Sequence, residues 1–107
     1  NVHGRYRGEA KLNYALVEKI AGMTEVPLTM HGGSGLTKEQ YKKSIEAGIS
    51  NIHFYTNITL GLWRSLEELT KKRNSQPVYH EICGATIAYF KKEILNIMEI
   101  CESAGKA

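Results

Sequence analysis

Apolar and polar positions follow two rhythms along this chain, and each change of rhythm marks an element. Between residues 12 and 21, Leu12, Leu16, Val17 and Ile20 recur at helical spacing, with Asn13 placed to cap the start and Gly22 to stop the end. Val26 to Met30 is a short apolar run entered through Pro27, which suits a buried strand better than a helix. Thr37 and Gln40 then stand at capping-box spacing, predicting a helix from there to about Ala47, stopped by Gly48. In the segment from Ile49 to Tyr55, Ile49, Ile52 and Phe54 predict a second strand, because β-branched and aromatic side chains pack well on a pleated surface. Thr56 or Asn57 can cap the next helix, whose Ile58, Leu62, Leu66 and Leu69 share one side before the polar stretch KKRNSQP. Pro77 opens a long final helix with Ile87, Phe90, Ile94, Ile97 and Ile100 on one face.

Helices alternating with strands imply parallel pairing and right-handed crossovers, hence an α/β architecture. Two strands, or three if the residues before His3 end one, are too few for a parallel sheet covered on both faces. The chain therefore reads as the end of a larger α/β protein; its start at Asn1 rather than Met is expected to reflect processing or truncation. Its helices would turn apolar faces toward strands supplied from elsewhere.

Composition narrows the function classes. With 107 residues, of which 42% are hydrophobic and 23% charged, the chain suits one globular unit and not two. The net charge of +3 comes from scattered basic residues, and the densest run, KKRN from Lys71, reads as a solvated helix end, so no nucleic-acid partner is expected. Cys83 and Cys101 form no CxxC pair or zinc-finger spacing and are expected as reduced thiols of a cytoplasmic protein. No apolar run reaches the roughly 20 residues that span a bilayer, and no signal-peptide pattern opens the chain, so no membrane partner is expected.

The histidines carry the chemistry. His31 lies 28 positions after His3 and 22 before His53, intervals of about one βα unit in a (β/α)₈ barrel of roughly 250 residues. His31 falls at the end of its predicted strand and His53 inside the next, and equivalent ends of neighbouring parallel strands converge on one face. His3 and His31 are each followed directly by glycine, which points to a metal or anion site, since a neutral imidazole is the commonest transition-metal ligand and glycine lets the backbone approach a bound molecule. In HGGSG, Gly32, Gly33 and Gly35 permit positive φ, Ser34 adds a hydroxyl, and successive N–H groups ahead of a helix can converge on a phosphate. A flexible loop is the competing reading of those five residues taken alone. His80, in the last helical segment, is assigned no role.

Three blocks in order, HGRYRGEAKLN from His3, PLTMHGGSGLTKEQ from Pro27 and GISNIHFYTNI from Gly48, resemble the class II, metal-dependent ketose-bisphosphate aldolases that act on fructose or tagatose bisphosphates. The resemblance covers nearly the whole chain. It implies that residues 1–107 are the C-terminal part of a (β/α)₈ TIM barrel, with His3 and His31 as Zn²⁺ ligands. It further implies that Gly4, Gly32, Gly33 and Ser34 hold the phosphate of the dihydroxyacetone phosphate moiety, and that His53, Phe54, Tyr55 and Thr56 supply further substrate contacts. The activity so implied is a lyase of carbohydrate metabolism, of glycolytic type, that reversibly cleaves a ketose bisphosphate, with zinc polarising the ketone as a Lewis acid. As a full-length protein it would be a cytoplasmic homo-oligomer, dimer or tetramer, whose partner is a phosphorylated sugar.

Two departures set the alternatives. Where the family usually has Asn, this chain has His53, which offers a donor and an acceptor but is larger and can also ligate metal. Tyr55 likewise replaces a small or acidic residue. The family's proton-transferring Asp and a further His ligand belong to an earlier block that these residues do not contain, so the segment alone is expected to be inactive, a catalytic zinc commonly needing three protein ligands. The competing reading is a divergent or non-catalytic relative that keeps HGGSG and binds a phosphorylated ligand without cleaving it.

Overall fold

The structure, a computed structural model, describes residues 10–72 and 76–106. Six elements follow in the order helix, strand, helix, strand, helix, helix: α1 (Tyr14–Ala21), β1 (Leu28–Met30), α2 (Lys38–Glu46), β2 (Ile49–Ile52), α3 (Thr56–Lys71) and α4 (Tyr79–Ile100). The order is the one the apolar rhythm predicts, and the fold is α/β. β1 and β2 pair in parallel, with Met30 opposite Ile52 and an irregularity in register between Leu28 and Thr29.

Local chemistry explains most boundaries. Asn13 caps α1 by accepting a 3.0 Å hydrogen bond from the Leu16 N–H, so the helix starts two residues later than Leu12 suggests. The capping box of α2 is complete: Thr37 Oγ1 accepts from the Gln40 N–H at 3.2 Å, and Gln40 Oε1 accepts from the Thr37 N–H at 2.9 Å. Gln40 also donates through Nε2 to the Ala10 carbonyl at 2.9 Å, tying the residues before α1 to the start of α2. Past α2, Gly48 takes φ +109°, a left-handed turn that L side chains rarely adopt, and a Cβ there would lie 2.6 Å from the Ala21 Cβ. The turn into β2 thus requires glycine both for its backbone angle and for the close passage of α1.

Three expectations are corrected. β2 ends at Ile52 rather than Tyr55, because the chain must turn into α3 once past the sheet. The N-cap of α3 is Tyr55, not Thr56 or Asn57, and no side chain caps it; Thr56 is already helical. α4 opens at Tyr79 rather than at Pro77, and its N-cap Val78, with no side-chain acceptor, makes half a capping box, its N–H donating to Glu81 Oε2 at 3.0 Å.

The core is small and lies between the sheet and α2. Met30, Leu36, Tyr41 and Ile49 form it, and Leu12, Val17, Phe54 and Ile100 pack against its edge. Ser44, buried on α2, turns its hydroxyl back to the Gln40 carbonyl at 2.8 Å and so leaves no polar group unpaired. α3 packs against α4, and α2 touches both α1 and α4. The helix faces expected to seek further strands are open: Leu16 and Ile20 on α1 and Ile87 and Ile94 on α4 are exposed. Among the described residues no helix is long and apolar enough to cross a membrane.

Candidate functional site

Parallel pairing brings His31 and His53 together. Each follows directly on the last residue of its strand, Met30 or Ile52, and those two residues are partners in the register. His53 is therefore just beyond β2 rather than inside it, and its N–H donates to the Met30 carbonyl at 3.1 Å, continuing the ladder by one step. The two imidazoles meet edge to face, with ring centroids 4.5 Å apart and planes at 75°. Both histidines are exposed at the end of the sheet. Asn51, two positions before His53 and so on the same face of the strand, brings Nδ2 to 3.4 Å from His53 Nε2. Sequence reasoning did not single out Asn51, although the period of two that places it beside His53 was available.

The HGGSG segment forms a tight turn beside this pair. Gly32 and Gly35 adopt positive φ, 72° and 92°, as the sequence suggested. Gly33 is required for space: a Cβ there would sit 2.7 Å from Ile52 Cγ2 and 3.3 Å from the His53 carbonyl oxygen. The Gly33 carbonyl accepts from the Leu36 N–H and from the buried Tyr41 hydroxyl, so the turn is pinned from α2. Burial, then the neighbouring Cys101, pushes the Tyr41 phenol up to about 12 and keeps it a hydrogen-bond donor across the neutral range.

The turn's other side faces α3. A Cβ on Gly35 would lie 3.7 Å from Asn57 Nδ2, in the first turn of that helix. The first N–H groups of α3 have no side-chain cap, whereas the N-terminus of α2 is closed by its own capping box. A helix start with uncapped N–H groups beside a glycine turn is the arrangement that favours an anion, and the expectation that the helix after HGGSG would supply those groups shifts to α3. Among the described residues, no carbonyl or side chain accepts from the N–H groups of Gly32, Gly33 or Ser34.

The remaining expected site residues divide. Tyr55 is exposed and Thr56 half-buried at the start of α3. Phe54 turns its ring into the core against Tyr41, centroids 5.3 Å apart, because an aromatic ring gains more from burial than from the open end of the sheet. His3 and Gly4 lie outside the described residues. Among those described, no group of three or more His, Cys, Asp or Glu side chains could hold a metal ion, so His31 and His53 make at most a part of such a site. An open cleft of about 510 Å³ borders His31, with Leu12, Leu16, Val17, Thr29 and Ile49 on its walls.

The family model for class II fructose-bisphosphate aldolases matches residues 1–106. The chain belongs to that family. A fructose-bisphosphate aldolase of Geobacillus stearothermophilus is 35% identical over 107 residues, all of this chain and 37% of the relative. A 6-phospho-5-dehydro-2-deoxy-D-gluconate aldolase of Bacillus velezensis is 45% identical, again over all of this chain and 37% of the relative. The crystal structure of the YdjI aldolase from Escherichia coli K12 superposes with a TM-score of 0.73 and 27% identity, covering 91% of this chain and 36% of that one. The chain thus spans a little over a third of the length of these aldolases.

Proposed function

We propose that the full-length protein is a zinc-dependent class II aldolase that reversibly cleaves a phosphorylated ketose to dihydroxyacetone phosphate and an aldehyde. In this reading residues 1–107 are the C-terminal part of a (β/α)₈ barrel, whose active site lies at the strand ends where His31 and His53 stand. The observation that carries it is the meeting of His31, His53 and the Gly32–Gly35 turn at the ends of two paired parallel strands.

Imidazole nitrogens are good zinc donors, and His31, together with His3, would hold the ion while ligands from earlier in the barrel complete its set. When bound, zinc supplies Lewis-acid polarisation of the ketone. The chain's own groups do the rest of the binding. Gly4, Gly32, Gly33 and Ser34 present N–H and hydroxyl donors to a phosphate, with the uncapped start of α3 on its other side. The absence of a Cβ at Gly33 lets the turn sit against β2, and the Tyr41 hydroxyl holds the Gly33 carbonyl back from the phosphate. His53, Tyr55 and Thr56 border the position of the substrate carbons beyond that phosphate. Proton transfer falls to an acidic residue from earlier in the full-length sequence.

The 45% identity to the Bacillus velezensis relative supports a second substrate reading, a phosphorylated deoxy-keto-gluconate in place of a sugar bisphosphate. Cleavage by the metal-stripped full-length protein, assayed with and without added zinc on fructose and tagatose 1,6-bisphosphates and on 6-phospho-5-dehydro-2-deoxy-D-gluconate, separates the two. Zinc-dependent release of a triose product from any one names the substrate. No turnover with all three, alongside retained phosphate-ligand binding, would replace the aldolase reading by that of a binding protein.

A further inference from the structure

We infer that His53 is itself a metal ligand, closing on the same ion as His31, with Asn51 as the residue that orients its ring. The inference rests on the aldolase reading above for the identity of the ion and goes beyond it in moving His53 from substrate contact to the metal.

Three features of the geometry carry it. Two nitrogens bound to one zinc at about 2.0–2.1 Å each can be no more than about 4.2 Å apart. Rings with centroids 4.5 Å apart are close enough for side-chain rotation alone to bring one nitrogen of each within that limit. The backbones are already fixed in equivalent places, since the His53 N–H bonds to the carbonyl of Met30, the residue directly before His31. Both rings are exposed at the open end of the sheet rather than packed in the core, where an edge-to-face aromatic pair would have a purely structural purpose.

The third is Asn51. A metal-bound histidine nearly always has its second ring nitrogen held by a hydrogen bond, which fixes the tautomer and aims the other nitrogen at the metal. The Asn51 amide is 3.4 Å from His53 Nε2. Nδ2 faces the ring as it stands; a half-turn of the amide would set Oδ1 there to accept from Nε2–H and leave the lone pair on Nδ1 as the ligating atom. Neither Phe54, packed against Tyr41, nor Tyr55, which carries no nitrogen donor, could take this place. The chain then contributes paired imidazoles, His31 and His53, from the ends of neighbouring strands.

The test uses the full-length protein and reads the metal rather than turnover. Zinc affinity and the visible spectrum of the cobalt-substituted protein are measured for the wild type, His31→Ala, His53→Asn and Asn51→Leu. His53→Asn is expected to weaken zinc at least tenfold and to change the cobalt bands, and Asn51→Leu to weaken it roughly 10- to 100-fold. An unchanged affinity and spectrum in His53→Asn, with His31→Ala impaired, would overturn the inference and leave the aldolase reading standing. A wild type that binds neither ion would overturn both. Should His53→Asn fail to fold, the crystal structure of the zinc-loaded wild type decides: a His53 nitrogen at about 2.0–2.1 Å from the ion supports the inference, and a ring turned away from it overturns it.

Discussion

At the scale of single residues, Gly33 and Tyr41 together set the shape of the glycine turn. Gly33→Ala forces a methyl against Ile52 Cγ2 and the His53 carbonyl, so either the turn or the end of β2 must move. Overpacking of this kind costs about 1–3 kcal/mol, and because it acts beside the proposed phosphate site, the KM of the full-length protein for the proposed phosphorylated substrate is expected to rise. Chemical denaturation and steady-state kinetics of the variant check both. Tyr41→Phe removes the hydroxyl that donates to the Gly33 carbonyl and is expected to cost about 1 kcal/mol. The pH dependence has a definite sign. Burial raises the phenol from its ordinary 10 to about 12, so Tyr41 contributes stability fully below pH 10 and loses it as pH rises through about 12. Denaturation midpoints between pH 9 and 12 should therefore fall less steeply in Tyr41→Phe than in the wild type; equal slopes would remove Tyr41 from the alkaline limb.

At the scale of elements, what determines each boundary decides how legible it was. The start of α2 was readable because Thr37 and Gln40 sit at fixed spacing and both make their expected bonds. Thr37→Ala is expected to cost about 1 kcal/mol and to raise amide exchange over the first turn of α2, measured by hydrogen exchange on the full-length protein. The start of α3 was misread because Thr56 and Asn57 are good capping residues by type, yet the chain turns at Tyr55, one residue earlier. An uncapped helix start follows from tertiary position, and propensity carries no record of it. The same holds for Phe54: a period of two told strand from helix, but only the packed structure shows that its ring belongs to the Tyr41 side. The convergence of His31 and His53 was readable from their spacing of one βα unit, whereas the Asn51 contact needed the register of the two strands.

At the scale of the whole molecule, the six elements make a βαβ unit with helices to spare, and their exposed apolar faces fit a chain spanning about 37% of the length of its aldolase relatives. In the proposed full-length barrel, Leu16, Ile20, Ile87 and Ile94 are expected to be covered. Ile94→Asp there should destabilise the protein by about 1–3 kcal/mol, while a residue left in water would tolerate the change within about 0.5 kcal/mol. The class of fold and the ordered blocks of the site were legible because they rest on local patterns. The substrate was not, because both proposed substrates carry a phosphate, and the glycine turn proposed to hold it would not tell them apart. The proposal that the glycine-turn histidine holds the catalytic metal meets its most direct test in one comparison. Zinc content and ketose-phosphate cleavage are measured side by side for full-length wild type and His31→Ala. Loss of zinc with at least about a hundredfold loss of turnover is expected, in line with the several kcal/mol that Lewis-acid polarisation supplies. A His31→Ala protein that keeps its zinc and cleaves at the wild-type rate would contradict it.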